Sequence, residues 1–282
     1  MRLAKPNMSK IPTIMGILNV TPDSFYQRQA AHSDGGRFKG VSRAVERAHE
    51  MMAEGADIID IGGESTRPGA DVVEQAQELA RVIPVIEALK GIDAEISIDT
   101  RRPGVARAAV AAGASIWNDV TALEFDTRSP KMAALLGCEV VLMHMRGSPE
   151  TMQDNPHYKD VVADVMAYLK GRMRAAMKAG VKPENIIIDP GIGFGKRLED
   201  NLDLLQHLDD FHKLGCPILL GTSRKSFIGK IDGSTVDERL GGSIASALWG
   251  ASMGASILRV HDVKETVQAL KVWRAIGERE ND

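Results

Sequence analysis

The feature that most constrains this chain is an alternation repeated eight times along its 282 residues. Short apolar, β-branched runs are each followed by a longer segment of helical character. The runs read as strands at 13–18, 56–61, 95–99, 115–118, 139–143, 185–189, 217–221 and 256–260. They are continuously apolar rather than alternating, as parallel strands covered on both faces must be. The helical segments fall at 40–54, 74–90, 103–112, 130–136, 160–179, 201–213, 237–253 and 263–277. Their apolar positions recur every three or four residues, as Val161, Val165, Met166 and Leu169 do. Gly55, Gly113, Gly137, Gly180, Gly215 and Gly254 stand where helices end. Eight β/α units in a chain near the roughly 250 residues typical of the architecture predict a (β/α)₈ TIM barrel of the α/β class. An open doubly wound sheet is the alternative, because periodicity does not report closure. With no linker or low-complexity tract, residues 1–282 are expected to form a single domain. About ten N-terminal and five C-terminal residues should be peripheral, as chain ends usually are. The one long irregular segment, 19–39, is a candidate functional loop.

The polar motifs follow the strands in nearly every unit. They are Asn19 to Phe25 (NVTPDSF), Gly62 to Gly69 (GGESTRPG), Asp99-Thr100 and Asn118-Asp119, then His144 within MHMRG. Asp189 to Lys196 (DPGIGFGK), Gly221 to Phe227 (GTSRKSF) and Arg259 to Asp262 (RVHD) complete the set. In a barrel these positions ring one mouth, the face that carries chemistry. Taken singly, Asp99, Asn118 or Asp189 could cap the following helix. Three such groups converging call instead for a ligand rich in N–H donors, because buried carboxylates and amides need partners. Arg259 and His261 alternate along the last strand and so share a face. Interior ion pairing and a cluster for phosphate oxygens are both open to them. Ser65, Thr66 and Arg67 add donors, and Lys225-Ser226 precede helical sequence whose start would favour an anion. His144 is equally a satisfied core histidine or a ligand contact. GIGFGK is not a phosphate-binding P-loop, since its glycine spacing differs and Arg197 stands where Ser or Thr belongs.

Composition removes whole classes of function. The net charge of −3 supplies no basic excess for nucleic acid, so an anionic substrate must meet a local positive site. Hydrophobic residues at 44% and charged residues at 26% are ordinary for a soluble globular protein, and no run is long enough to span a membrane. Cys138 and Cys216 lack metal-ligand spacing and read as reduced packing residues of a cytoplasmic protein. The basic start MRLAKPNMSK has no signal-peptide segment behind it.

Taken together and in order, MGILNVTPDSF, GGESTRPGA, DPGIGFGK, GTSRKSFIG and RVHDVKET resemble the dihydropteroate synthases of the bacterial folate pathway, over residues 13–272. The resemblance implies condensation of a 7,8-dihydropterin-6-ylmethyl diphosphate with 4-aminobenzoate, release of pyrophosphate, a Mg²⁺ requirement, sulfonamide competition and a homodimer. It implies that Asp99, Asn118, Asp189 and Lys225 hold the pterin. Asn19 would ligate Mg²⁺, and Asn19, Thr66, Arg67, Arg259 and His261 would meet the diphosphate. Phe25, Arg67, Pro68, Phe194, Lys225 and Ser226 would surround the aminobenzoate. Asp99, Asp189, Lys225 and Arg259 would form the catalytic set. The family reaction is a dissociative substitution, so charge stabilisation and ordering are expected rather than a catalytic triad.

The chain departs from the family at one place. Tyr26 to His32 intervene between Phe25 and Ser33-Asp34-Gly35-Gly36, lengthening the first loop. That insertion bears on the placement of Phe25 and Asp23. Two other readings share the pocket: a methyltetrahydrofolate-dependent methyltransferase, which has no diphosphate to bind, and a non-catalytic pterin-binding paralogue. The cations Arg67, Arg259, His261 and Lys225 argue against the first, and the long loop is the feature that favours the second.

Overall fold

The structure is a computed structural model that describes residues 11–21, 35–64, 73–147, 152 and 156–278, with the backbone alone for 35–39. Eight strands form one parallel sheet: β1 (Thr13–Asn19), β2 (Ile58–Gly62), β3 (Glu95–Asp99), β4 (Ile116–Asp119), β5 (Glu139–Met143), β6 (Ile186–Asp189), β7 (Leu219–Leu220) and β8 (Ile257–Val260). Their order is β6-β5-β4-β3-β2-β1-β8-β7. The seam between β6 and β7 closes through a parallel bridge of Ile188 with Ile218, where Ile188 N–H donates to the Pro217 carbonyl at 3.0 Å. The sheet is therefore a barrel and not an open sheet. β7 is shorter than its apolar run because Pro217 has no N–H to give to a ladder.

Helices α1 (Gly35–Glu54), α2 (Gln75–Ala88), α3 (Pro103–Ala112), α4 (Ser129–Leu136) and α5 (Val161–Ala179) follow the first five strands. α6 (Leu198–Gln206), α7 (Ser226–Asp232), α8 (Leu240–Ser252) and α9 (Val263–Glu278) follow the last three. The six expected helix-closing glycines all carry positive φ. Two expected helices are divided. The segment 201–213 begins earlier, where Asp200 accepts the Arg197 N–H at 2.8 Å, and passes into a 3₁₀ turn at Leu208–Leu214. The segment 237–253 starts with a 3₁₀ turn, Val236–Glu238, capped by Thr235 and Glu238, before α8. α7 was not expected as a separate helix, since seven residues are too few to show a helical period.

The inward-facing residues explain what the barrel positions. Met15, Ile58, Ile116, Val141, Ile187, Leu219 and Ile257, one from each strand but β3, form a buried apolar cluster inside the barrel. Side chains alternate along a strand, so the residue two places further on faces the same way. Two places beyond Ile58, Ile116, Ile187 and Ile257 stand Asp60, Asn118, Asp189 and Arg259, and on β3 Ser97 gives way to Asp99. The barrel thus has an apolar plug and, above it toward the carboxyl ends of the strands, a polar layer. The outward residues, among them Ile59, Ile98, Trp117, Leu142, Ile188 and Leu258, pack against the helices. At about 25 cal/mol per Å² of apolar surface, that double burial supplies the stability that tolerates a charged layer inside.

Candidate active site

Arg259 on β8 organises the polar layer. Its Nε donates to Asp60 Oδ2 at 2.6 Å and its Nη2 to Asp99 Oδ2 at 2.7 Å. Asn118 Nδ2 donates to the same Asp60 oxygen at 3.2 Å. Arg259 therefore makes interior ion pairs, with its cation between β2, β3 and β8. Burial works against its charge, but Asp60 and Asp99 hold the guanidinium protonated above its ordinary range. Burial pushes the Asp99 carboxyl up to about 7; Arg259 opposes this, while Asp60 adds to it. Asp189 at the end of β6 accepts the Gly191 N–H at 2.7 Å, and burial raises its pKa against that bond and against Lys225, Lys196 and Arg259. Asp99, Asn118 and Asp189, expected to converge, do lie in one buried layer.

Asp60 was not singled out in the sequence. It is fully buried, and its Oδ1 has no hydrogen-bond partner among the described residues. The signal was present: a carboxylate inside the run Ile58-Ile59-Asp60-Ile61, on the inward face of a strand. It was obscured because Asp60 sits within the run rather than at its end. Lys196 was also missed. Only 1% exposed, its ammonium lies 2.9 Å from His144 Nδ1 and donates to the carbonyls of Gly191 at 2.8 Å and Phe194 at 3.0 Å. Burial and Lys196 push the His144 imidazole down to about 3, so the neutral ring accepts at Nδ1. His144 Nδ1 is thus satisfied within the protein. The Lys196 ammonium is in turn lowered to about 7 by burial. This knot joins the loops after β5 and β6, and it requires close approach of their backbones. A side-chain carbon on Gly191 would overlap the His144 carbonyl oxygen, and one on Gly195 the Arg146 carbonyl oxygen.

The remaining mouth residues come from the loops. Asn19, half-buried at the end of β1, and Asp99 both turn an oxygen toward the space beside Gly62: a Cβ there would lie 3.7 Å from Asn19 Oδ1 and 3.8 Å from Asp99 Oδ2. Among the described residues no group of three or more His, Cys, Asp or Glu could hold a metal ion. A lone amide oxygen suits Mg²⁺ nonetheless, since that ion commonly takes one or two protein oxygens and completes its octahedron with water and phosphate. Lys225 Nζ stands 3.8 Å from the centroid of the Phe194 ring, a cation–π contact across the loops after β6 and β7. Ser226 opens α7 and is exposed. His261 N–H donates to Ser223 Oγ at 3.2 Å, and its Nδ1 lies 3.0 Å from the same oxygen. Asp23, Phe25, the segment 26–32, Ser65, Thr66, Arg67 and Pro68 lie outside the described residues. Both flanks of 65–72 are anchored: Arg102 donates to Glu64 at 2.6 Å, to Glu78 at 2.7 Å and to the Val73 carbonyl at 2.5 Å.

The layer offers more acceptors than donors: three carboxylates and an amide surround one guanidinium. A flat ligand with several N–H groups and developing positive charge is what such a layer can bind. Comparison with known proteins agrees. Residues 15–261 match the model of a family described as pterin binding enzyme. The chain is 48% identical over 266 residues to the dihydropteroate synthase of Haemophilus influenzae, covering 94% of each chain. It superposes on the Xanthomonas albilineans dihydropteroate synthase solved with 4-aminobenzoic acid, with TM-score 0.85, 49% identity and coverage of 94% and 93%. On the enzyme of that organism in complex with 7,8-dihydropteroate the values are 0.83, 43%, 97% and 98%.

Proposed function

The chain belongs to the dihydropteroate synthase family of pterin-binding enzymes, and from that membership we propose that its barrel mouth condenses a dihydropterin diphosphate with 4-aminobenzoate, giving 7,8-dihydropteroate and pyrophosphate. The observation that carries the reading is the convergence of Asp99, Asn118 and Asp189 in one buried layer beside Arg259.

In the proposed complex Asp99, Asn118 and Asp189 accept hydrogen bonds from the pterin amino and ring N–H groups, and Lys225 donates to its carbonyl. Thr66, Arg67, His261 and Arg259 supply donors to the diphosphate. Arg259, already shared between Asp60 and Asp99, is the cation common to both halves of the pocket. Asn19 would hold Mg²⁺, which when bound neutralises diphosphate charge and eases its departure. The C–O bond at the exocyclic methylene breaks and its electron pair leaves with pyrophosphate. The carboxylates Asp99 and Asp189 favour the positive charge left on the methylene and pterin ring. The neutral aromatic amine then attacks that carbon and loses a proton to solvent. Phe25, Pro68, Phe194 and the Lys225 stem flank the aminobenzoate, with Arg67 and Ser226 near its carboxylate. No strong general base is needed, because the amine is unprotonated near neutral pH. A homodimer in the cytoplasm, with Cys138 and Cys216 as free thiols, belongs to the same proposal.

The test is direct. Protein supplied with Mg²⁺, the pterin diphosphate and 4-aminobenzoate should release pyrophosphate and form dihydropteroate, and chelation of the metal should stop it. Binding of the pterin diphosphate with no condensation would support the non-catalytic paralogue instead.

A further inference from the structure

The loop after β7 contains a strained residue that nothing in the reaction itself requires. Arg224 has φ 57°, one of three described non-glycine residues with positive φ. An L-residue in the left-handed region is disfavoured by its Cβ, and it persists only where the surroundings over-determine it. They do so here. The Arg224 N–H donates to Ser243 Oγ at 2.8 Å, and its carbonyl accepts from Arg239 Nη1 at 3.1 Å. Its Nε and Nη2 donate to the two Asp262 oxygens at 3.1 and 2.6 Å, a two-pronged pair that fixes direction as well as distance.

The position of this clamp gives it meaning. The neighbouring residues Ser223 and His261 are also bonded to each other. Two consecutive residues of the β7 loop are therefore laced to two consecutive residues beyond β8. The very next residue, Lys225, has returned to an extended conformation, φ −67° and ψ 151°, as it leads into α7. The chain thus kinks at one residue, and the next side chain is the one stacked on Phe194 at 3.8 Å.

We propose that Arg224 is a positioning residue: clamped by Asp262, it sets the kink that aims Lys225 over Phe194 and places Ser226 at the start of α7. The consequence for turnover rests on the synthase reading given above; the consequence for Lys225 does not. Arg224 touches neither substrate in that reading and acts through its two neighbours.

The variants Arg224→Gly and Asp262→Asn separate positioning from folding. Glycine adopts φ 57° without penalty, so the kink stays permitted but is no longer enforced. The melting temperature should therefore stay close to the parent's. In the ligand-free parent the Phe194 ring should shift the Lys225 ε-methylene resonances upfield, and both variants should lose that shift. With both substrates present, kcat/KM for 4-aminobenzoate should fall roughly 10–100-fold, the scale of an approximately 1 Å misplacement. Arg224→Lys, which keeps the charge and loses the fork, should not restore it. The double variant should be no worse than Arg224→Gly. An unmoved Lys225 resonance in a folded Arg224→Gly or Asp262→Asn protein overturns the proposal. So does a lost resonance shift with unchanged kinetics. A parent that binds but never condenses its substrates overturns the synthase reading alone, and the resonance then decides the clamp.

Discussion

Asp60→Ala should cost about as much in ligand binding as in folding, although Asp60 is assigned no contact with a substrate. The substitution removes the Nε anchor of Arg259 at 2.6 Å and the acceptor of Asn118 at 3.2 Å. A charge-assisted hydrogen bond contributes about 1.5–3 kcal/mol, and the longer one from Asn118 falls at the low end of that range. Arg259 keeps Asp99 at 2.7 Å, so the variant stays below the roughly 3–5 kcal/mol of a fully orphaned buried charge. Against the loss, Asp60 Oδ1 is buried with no partner among the described residues, and deleting such an acceptor returns about 1–3 kcal/mol. The net change in stability should be a loss of about 1–2 kcal/mol. Binding suffers differently. Arg259 and Asn118, released from their common anchor, must be re-ordered by the ligand at about 0.5–1.5 kcal/mol each. The sum, about 2 kcal/mol, is roughly a 30-fold loss of affinity. Urea denaturation would measure the first quantity, and calorimetry with 6-hydroxymethyl-7,8-dihydropterin the second. Asp60→Asn supplies the control: an amide oxygen in place of Oδ2 keeps both bonds, so affinity should fall only a few-fold. Undiminished pterin affinity in folded Asp60→Ala would refute the preorganisation argument. A stability loss as large as that of an orphaned charge would show that Asp99 does not hold Arg259.

Two further outcomes follow from the same layer. Asp189→Asn should fold at least as well as the parent, because a buried carboxylate with a raised pKa is replaced by an amide whose oxygen can still accept from Gly191. Steady-state kinetics on it should show a loss equivalent to about 2–4 kcal/mol, and near-normal rates would remove Asp189 from the site. For Asp99, the folded-state pKa of about 7 lies above the unfolded value of 3.8, so the folded protein binds the proton more tightly. That contribution to stability is fully present below pH 4 and is lost as pH rises through 7. Relative to Asp99→Asn, which has no such proton, the parent's urea midpoint should therefore fall across that window, and a constant difference between the two would contradict the assignment.

What the sequence determined by itself is the set of local preferences and their order. Eight apolar runs, eight helical segments and six helix-closing glycines were legible because periodicity and glycine backbone freedom act over a few residues. Asp99, Asn118 and Asp189 were legible because each stands where an apolar strand gives way to polar sequence. The family motifs supplied expected roles for residues that no local rule assigns, among them Lys225 and Phe194, which the structure brings into contact. Tertiary structure decided the rest. Closure of the barrel rests on the Ile188–Ile218 bridge, a pairing between segments thirty residues apart that no strand pattern contains. That Arg259 makes interior ion pairs was not legible in the sequence, because alternation gives the face of a side chain and not its partner. Its partner Asp60 lies 199 positions away along the chain, and the two meet only when β2 and β8 flank β1. Lys196, read from its motif as a failed phosphate loop, proved to be a buried ammonium bound to His144 and backbone carbonyls. Burial and pairing depend on distances between elements remote in sequence, and those distances exist only once the sheet has closed.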